Sequence, residues 1–260
     1  MAKGPTEEGR FATRLREGGF LLGSTVSTTD PSLVECMARS KLDFLMIDTE
    51  HSPLGPETVQ MLVIAASGSG MPSVVRVGST IPHALMQPLD VGAAGIVVPR
   101  IKSHVEVQAV IEATRYPPLG LRGFGPRRAA GYGRDTRLYV DEARERVAVI
   151  VQIETYEAVE DLEAIAGVAG LDALLVGPND LAAAMGVPGE PEHEMVIEVV
   201  SKMKVACDKA GVAAGIAVAP NPKIVQYHID SGLDFVISGG DVAFLTESVD
   251  TFVGEVMRGR

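Results

Sequence analysis

Residues 148–177, which read AVIVQIETYEAVEDLEAIAGVAGLDALLVG, decide the fold of this chain. The stretch begins and ends with nearly continuous apolar runs, Ala148–Glu154 and Ala173–Gly177. Such runs are typical of parallel strands that are buried on both faces. Between them, Ala158–Ala166 carries apolar residues at three- and four-residue spacing, which predicts an amphipathic helix. The stretch is therefore predicted to be one strand–helix–strand unit of a parallel sheet.

The same unit recurs from end to end of the chain. The predicted strands are Phe20–Val26, Phe44–Asp48, Ser73–Val77, Gly95–Pro99, Ala148–Glu154, Ala173–Gly177, Ala213–Ala217 and Phe235–Ser238. The helices predicted besides Ala158–Ala166 include Pro31–Ala38, Pro56–Ala66, His104–Thr114, Met195–Ala210 and Asp241–Met257. Eight units predict an α/β fold, a single (β/α)8 TIM barrel over residues 1–260. Met1–Thr6 is expected to fray, and Glu7–Glu17 is expected to form a helix that closes the barrel floor.

Composition narrows the classes of function. The 260 residues are 46% hydrophobic, carry a net charge of −11 and include no tryptophan, which argues against a nucleic-acid partner. No apolar run is long enough to span a membrane and the first residues are polar, so a cytoplasmic protein without a membrane partner is expected. Cys36 and Cys207 form no CxxC motif and are expected to be buried thiols.

Charged side chains follow the predicted strands at their carboxyl ends, where the active sites of such barrels lie. Glu154 ends the fifth strand and Asp180 follows the sixth, so their carboxylates are expected to converge. Two carboxylates without a nearby Cys or His predict a site for a divalent cation, Mg²⁺ or Mn²⁺, with Co²⁺ as a third option. The alternative is that each carboxylate caps a helix. The long connection 116–145 is expected to lie on the same catalytic rim as a loop.

Strand parity indicates which of these side chains enter the barrel. Gln152 and Glu154 are two residues apart and share a face, whereas Ile153 points toward the helices. By the same rule Arg76 faces the barrel at the end of the third strand. Arg76 is predicted to bind a substrate carboxylate and to stabilise an enolate, or else to form a structural ion pair with Asp48.

One histidine is placed for proton transfer. His51 follows Asp48-Thr49-Glu50 on a rim loop, and imidazole groups titrate near neutral pH. Asp90 is the carboxylate expected to orient that imidazole as a His–Asp pair. A Schiff-base mechanism requires a lysine at a strand end, and only Lys102 lies near one. Metal-assisted enolisation is therefore the favoured chemistry.

Six sequence blocks occur in order between about Phe20 and Asp241. They are IDTEH at 47–51, VVR at 74–76, LDVGA at 89–93, RYPP with GLRG at 115–123, VQIET at 151–155 and VGPNDL at 176–181. Together these blocks resemble the HpcH/HpaI class II pyruvate aldolases, which include 2,4-dihydroxyhept-2-ene-1,7-dioate and 2-dehydro-3-deoxyglucarate aldolases. The resemblance implies a phosphoenolpyruvate- or pyruvate-binding type of TIM barrel, a divalent metal, and a homohexamer that exchanges its C-terminal helices between subunits.

The resemblance also implies a role for each matching residue. Glu154 and Asp180 would hold the metal, and His51 with Asp90 would transfer the proton. The implied substrate-binding residues are Arg76 and Asp48, Gln152 for the pyruvate oxygens, Gly177 and Pro178 with the backbone N–H groups near them for the carboxylate, and Arg122 and Gly123 on the long connection. Several relatives carry an aromatic residue in the first strand where this chain has Gly23–Ser27, so the aldehyde partner is left open.

The predicted reaction cleaves a 4-hydroxy-2-oxo acid to pyruvate and an aldehyde through a metal-stabilised pyruvate enolate. A citramalyl-CoA-type lyase on the same barrel is one alternative, although the acidic chain offers no basic track for the nucleotide. An isomerase or synthase of a phosphorylated sugar would use Ser238-Gly239-Gly240 as a phosphate nest, which the next residue, Asp241, opposes. The non-enzymatic alternative is a barrel that only binds 2-oxo acids.

Overall fold

In the computed structural model, which describes residues 7–258, eight parallel strands form a closed barrel. The strands are β1 (Leu21–Val26), β2 (Phe44–Asp48), β3 (Ser73–Arg76), β4 (Gly95–Val98), β5 (Ala148–Ile153), β6 (Ala173–Val176), β7 (Ala213–Val218) and β8 (Phe235–Gly240). Each lies within two residues of its predicted bounds, which confirms the (β/α)8 TIM barrel. The predicted fraying of Met1–Thr6 concerns a segment outside the described residues.

The helices precede, connect and follow the strands. They are α1 (Glu7–Glu17), α2 (Pro31–Ala38), α3 (Pro56–Gly68), α4 (Pro82–Asp90), α5 (His104–Thr114), α6 (Thr136–Arg146), α7 (Tyr156–Glu160), α8 (Leu162–Ala166), α9 (Pro178–Ala184), α10 (Glu194–Ala210), α11 (Pro222–Asp230) and α12 (Asp241–Met257). The region predicted as one helix at Ala158–Ala166 is divided between α7 and α8, which meet at Asp161. No helix of this described part is long and apolar enough to cross a membrane.

The strands separate two hydrophobic clusters. Inside the barrel, the ring of Phe11 from α1 packs 5.0 Å from that of Phe44, which in turn lies 6.3 Å from Phe235. This packing confirms α1 as the helix that closes the floor. A Cβ on Gly23 would lie 2.4 Å from the Phe44 ring, so glycine makes room for the aromatic side chain. Outside the barrel, Ile153 packs against the helices, as strand parity predicts.

A buried carboxylate connects several elements at the floor. Asp172 immediately precedes β6, and its side chain is fully buried. It accepts hydrogen bonds from Arg16 (2.7 Å), Arg115 (2.8 Å), Arg144 (3.0 Å) and the backbone N–H of Val149 (2.7 Å). Burial lowers the pKa of Arg115 to about 10, and the negative charge of Asp172 opposes that shift. Asp172 therefore compensates a buried positive charge at the amino-terminal face of the barrel.

The long connection 116–145 lies at the end of the barrel opposite to the predicted one. It follows α5 rather than a strand, and its second part is the helix α6. Arg115, at its start, donates to the backbone oxygens of Val147 and Gly170, which precede β5 and β6. The prediction of a rim loop is therefore wrong, because α5 returns the chain to the amino-terminal face before the connection begins.

The two cysteines differ in exposure. Cys207 is buried on α10, as expected, and burial raises the pKa of its thiol to about 12. Cys36 is exposed on α2, so the prediction of a buried thiol is wrong there. Its helix presents Val34 and Ala38 to the core, and Cys36 falls on the opposite face.

We expect Asp172→Ala to lower the free energy of unfolding by about 3–5 kcal/mol, because the substitution leaves Arg115 buried without its counter-charge. Urea unfolding followed by circular dichroism measures the change. The matched control is Glu198→Ala, which removes an exposed ion pair with Lys202 on α10 and should change little. Equal effects of the two substitutions would show that the hydrogen bonds of Asp172 with the three arginines do not stabilise the fold.

Candidate active site

The carboxyl ends of β2 and β3 carry a buried ion pair. Asp48 accepts hydrogen bonds from Nε and Nη2 of Arg76 at 2.9 and 2.7 Å, in a bidentate arrangement. It also accepts the backbone N–H groups of Glu50 and His51 at 3.0 and 3.3 Å. Burial alone would raise the pKa of Asp48, but the hydrogen bonds and charge of Arg76 outweigh it and lower the pKa. Asp48 thus fixes both the guanidinium and the turn that leads to His51.

Arg76 keeps one nitrogen outside this pair. Its Nη1 lies 3.5 Å from Oε2 of Glu50, and the Arg76 side chain is 13% exposed. The predicted structural ion pair with Asp48 is therefore present, and it occupies the other two guanidinium nitrogens. Nη1 makes only the 3.5 Å contact with Glu50, so the ion pair with Asp48 and the predicted substrate contact are compatible.

Glu154 lies at the end of β5 and is almost completely buried. Its Oε1 accepts the backbone N–H of Arg100 at 2.6 Å, and its Oε2 accepts Nε2 of Gln152. Burial raises the pKa of Glu154 to about 7, and the negative charges of Glu50 and Asp180 contribute to the rise. These three acidic residues, called the carboxylate centre below, are therefore close enough to interact electrostatically.

Gly177 allows β5 and β6 to approach closely beside this centre. A Cβ at this position would lie 2.3 Å from Nε2 of Gln152 and 2.7 Å from Oε2 of Glu154, so a larger residue would displace both side chains. The N–H of Gly177 donates to the carbonyl of Ile153 at 3.3 Å and is not available to a ligand. Pro178 has no N–H, so neither residue offers a free backbone donor for the predicted contact to a substrate carboxylate.

The carboxylate centre fits a divalent cation by its chemistry. Burial also raises the pKa of Glu50, and the charges of Asp48 and Asp180 add to that rise. Oε2 of Glu50 and Oε1 of Gln152 are buried without a hydrogen-bond partner. A hard cation prefers such oxygen ligands and would offset the repulsion among the carboxylates. Among residues 7–258 no group of three or more His, Cys, Asp or Glu side chains is arranged so that it could hold a metal ion by itself, so water and substrate oxygens would have to complete the coordination.

Glu154 and Asp180 do not cap helices, which was the alternative role considered for them. Thr155, not Glu154, caps α7, because its hydroxyl accepts the N–H of Ala158 at 3.1 Å. Gly177 is the cap position of α9, and Asp180 lies exposed within its first turn. Glu154 and Asp180 are therefore free of the local structural role that the alternative assigned to them.

The structure does not bring His51 and Asp90 together within one chain. The His51 side chain is 53% exposed, and its Nε2 lies 3.6 Å from Oε2 of Glu50. Asp90 ends α4 near the start of β4 and accepts a 2.6 Å hydrogen bond from Arg122. No hydrogen bond or ion pair connects His51 to Asp90 in the described chain, because the two residues lie at opposite ends of the barrel.

Arg122 and Gly123 also lie at the amino-terminal face. The Arg122 guanidinium is buried between two aromatic rings, 4.7 Å from the centroid of Tyr116 and 5.8 Å from that of Tyr139. The N–H of Gly123 lies 3.1 Å from Sδ of Met86. These two predicted substrate-binding residues therefore do not line the carboxylate centre of their own chain.

Two residues of the site received no role from the sequence. Glu50 lies two positions after Asp48 in the block IDTEH at 47–51, so strand parity offers a signal for it. Arg100 follows β4, and its N–H reaches Glu154 because its backbone adopts a positive φ of 58°. No sequence pattern predicts that conformation for an arginine.

Comparisons with known proteins agree with the barrel fold and identify the family. The family model described as HpcH/HpaI aldolase/citrate lyase matches residues 22–247. The chain is 37% identical to a hydroxypyruvate/pyruvate aldolase of Paraburkholderia phytofirmans, covering 94% of this chain and 96% of the relative. It is 36% identical to a 4-hydroxy-2-oxovalerate aldolase of Novosphingobium aromaticivorans, over 89% and 88% of the two chains. A crystal structure of an HpcH/HpaI aldolase/citrate lyase family protein from Burkholderia cenocepacia superposes with a TM-score of 0.90 at 34% identity, covering 95% of this chain and 99% of that one.

The raised pKa of Glu154 predicts how cation binding depends on pH. Below about pH 7 the folded protein holds a proton on Glu154 that a cation must displace. The apparent affinity for Mn²⁺ is therefore expected to rise by up to about tenfold per pH unit up to about pH 7 and then to level off. Electron paramagnetic resonance of free Mn²⁺ measures this affinity directly.

Two variants show whether Glu154 causes the pH dependence of Mn²⁺ binding. Glu154→Gln should abolish the pH-dependent binding, whereas Glu157→Gln, three residues later and exposed on α7, should retain it. An affinity that does not change with pH in the wild type would show that Glu154 is already ionised at acidic pH.

Proposed function

Because this chain belongs to the HpcH/HpaI aldolase/citrate lyase family and is a carbon–carbon lyase of the aldolase class, we propose that it cleaves 4-hydroxy-2-oxo acids to pyruvate and an aldehyde with a divalent metal. The observation that carries the proposal is the carboxylate centre around the buried Glu154, with the Arg76 guanidinium 3.5 Å from Glu50 beside it. Glu154 and Asp180 would hold Mg²⁺ or Mn²⁺. When bound, the cation supplies Lewis acidity to the 2-oxo group.

The reaction requires one carbon–carbon bond to break. The C4 hydroxyl loses its proton, the C3–C4 bond breaks, and its electron pair forms the enolate of pyruvate while C4 leaves as an aldehyde. The enolate then accepts a proton at C3. We assign to Arg76 the stabilisation of the enolate oxygen through Nη1, and to Asp48 the positioning of Arg76, since both Asp48 oxygens already accept protein donors. The Oε1 of Gln152 is an acceptor without a partner. Gln152 would therefore contact the pyruvate oxygens through a water molecule that donates to Oε1.

His51 is the proposed proton-transfer residue. It is exposed at the rim and lies beside Glu50, so its imidazole is accessible to the C4 hydroxyl of a substrate held at the carboxylate centre. Its partner Asp90 lies at the other face of the same chain, held by Arg122. We therefore propose that the His51–Asp90 pair forms between two subunits, with the amino-terminal face of one subunit against the rim of the next.

Two exposed apolar surfaces support such a homo-oligomer. The first, on the amino-terminal face, consists of Leu119, Leu121 and Phe124, which are 60%, 78% and 70% exposed. The second is α12, which is attached to the barrel at its first residue, where Asp241 accepts hydrogen bonds from Ser27 and Thr28. The apolar side chains exposed beyond that residue are Val242, Phe244, Leu245, Val249, Phe252, Val253, Val256 and Met257. A hexamer in which α12 packs on a neighbour would cover them, as the resemblance implies.

Pyruvate release from 4-hydroxy-2-oxo acids tests the proposed reaction. With Mg²⁺ or Mn²⁺, we expect pyruvate from at least one of 4-hydroxy-2-oxopentanoate, 4-hydroxy-2-oxoheptanedioate and 2-dehydro-3-deoxyglucarate, and none with EDTA. Glu154→Ala should lower kcat by about a hundredfold or more, because a charge-stabilising group is lost at the reacting centre. Glu157→Ala is the matched control and should retain turnover.

A negative result across the panel has a defined next step. Proton–deuterium exchange at C3 of pyruvate reports enolisation without an aldehyde partner. If this exchange is also absent with metal present, the aldolase proposal fails and a citramalyl-CoA-type lyase or a 2-oxo-acid-binding barrel is favoured.

The shared His51–Asp90 pair predicts complementation between inactive variants. His51→Ala and Asp90→Ala should each have little activity alone. After subunits exchange in an equal mixture, about a quarter of the shared sites would contain both native residues, so about a quarter of wild-type activity should return. Native mass spectrometry verifies the exchange. Mixed oligomers without activity would exclude a pair formed between subunits.

A further inference from the structure

A cavity of about 350 Å³ lies outside the barrel wall, between β7 and the helices α10 and α11. The buried side chains in its wall include those of Val196, Val200 and Ile216, so much of its surface is apolar. The cavity also reaches Pro178 and Asn179 at the start of α9. Its volume is in the range of ligand cavities and is too small for a helix, whose diameter is about 10–12 Å. A small molecule is therefore the occupant that this space fits.

One polar side chain is buried in this wall. His228 on α11 lines the cavity and is 6% exposed. Its Nδ1 is buried and has no hydrogen-bond partner among residues 7–258. Burial lowers the pKa of His228, and the negative charge of Glu192, which also lines the cavity, opposes that shift. The imidazole is therefore mostly uncharged at neutral pH and offers one donor and one acceptor.

The unpartnered nitrogen of His228 favours a ligand with a hydroxyl group. A buried polar atom without a partner is unfavourable, and a ligand that supplies the partner recovers that free energy. A hydroxyl both donates and accepts, so it suits either tautomer of the imidazole. An ordered water molecule needs roughly two to four polar partners, and the buried side chains Val196, Val200 and Ile216 offer none. A hydroxyl carried on an apolar body therefore suits this wall better than water does.

The rest of the wall indicates what that body is. The ring of Tyr227 lies 5.1 Å from the His228 imidazole in an edge-to-face arrangement, so the wall already presents aromatic surface. The charged side chains that line the cavity are Glu192 and Lys223, which are exposed and opposite in sign. A charged ligand would be attracted by one of them and repelled by the other. An uncharged aromatic body fits both observations.

The cavity is also connected to the carboxylate centre. Pro178 and Asn179 line the cavity, and Asp180 follows them directly in the first turn of α9. Gly177, at the cap position of α9, lies against the side chain of Glu154. A ligand that contacts Pro178 and Asn179 would therefore restrain the turn that carries Asp180.

We infer that this cavity is a regulatory site for a small, uncharged aromatic molecule with one hydroxyl group, that His228 is its hydrogen-bond partner, and that its binding restrains α9. The apolar body of the ligand packs against Val196 and Val200, and its hydroxyl contacts Nδ1 of His228. The inference goes beyond the proposed reaction and does not depend on it, because ligand binding here requires neither metal nor substrate.

Two probes test this site, 2-naphthol and naphthalene. They share the same fused rings and differ by one hydroxyl, so the ratio of their dissociation constants isolates the hydrogen bond. Fluorescence titration of each probe with the purified protein measures both constants. We expect 2-naphthol to bind wild type about 3- to 10-fold more tightly than naphthalene.

Three variants locate the bound probe. His228→Leu should bind both probes with similar affinity, because leucine keeps an apolar wall without a hydrogen-bonding group. Val200→Phe should weaken both probes by about tenfold or more, because the larger side chain occupies the cavity. Val205→Phe is the matched control on α10, since Val205 is 56% exposed and does not line this cavity, and it should bind as wild type does. Circular dichroism verifies that each variant is folded.

Hydrogen–deuterium exchange followed by mass spectrometry tests the connection to α9. Saturation with 2-naphthol should slow exchange severalfold in peptides that cover Pro178–Ala184. Peptides that cover α5 should be unchanged, because α5 does not line the cavity. Val200→Phe should show no effect of 2-naphthol in either region.

Each of four results would overturn the inference. Equal affinities of the two probes in wild type, or an unchanged ratio in His228→Leu, would remove His228 as the hydrogen-bond partner. Undiminished binding to Val200→Phe would place the probes elsewhere. Unchanged exchange in α9 with 2-naphthol bound would remove the regulatory role. If neither probe binds wild type, the cavity is not a ligand site, and a second copy of the chain that covers it becomes the favoured occupant.

Discussion

The alternation of side chains along each strand is the constraint on which this barrel depends. Residues that point inward near the floor are large and apolar, and Phe11, Phe44 and Phe235 fill that space. At the carboxyl ends the same alternation directs Asp48, Arg76, Gln152 and Glu154 inward, where no apolar partner awaits them. Burying these groups is unfavourable, and it is tolerated because the floor supplies the hydrophobic packing. Strand geometry thus divides the interior into a stabilising half and a reactive half.

Charge is balanced differently in different parts of the molecule. At the floor, Asp172 is matched by three arginines, and at the rim Asp48 is matched by Arg76. The carboxylate centre is matched only by the longer contacts of Glu50 with Arg76 and His51, and burial keeps the pKa values of Glu50 and Glu154 raised. In a protein whose other charged groups are paired, charged groups without a full partner are typical of functional sites. This excess of negative charge is where the proposed cation would bind.

Much of this arrangement follows from the sequence, because buried parallel strands are nearly continuous apolar runs whose bounds are easy to find. Parity then placed Gln152 and Glu154 inside the barrel and Ile153 outside it, as the packing confirms. The position of 116–145 was wrong because a count of strands does not record that a helix reverses the chain before the connection begins. Asp90 was assigned to His51 by motif alone, and motifs carry no information on which face a residue occupies. The contact of Arg100 with Glu154 was not predicted because it depends on a positive φ angle of the Arg100 backbone.

The pairing that closes the barrel joins residues far apart in sequence, since Leu21 on β1 aligns with Phe235 on β8. This separation has a consequence for synthesis on the ribosome. The edge of β1 has no partner on one side until nearly the whole chain has been made, so the sheet remains open for most of translation. An open apolar edge invites pairing with other chains, and slow closure of distant contacts prolongs that exposure. Chaperones that shield nascent chains are accordingly most useful to this protein before its last strand emerges.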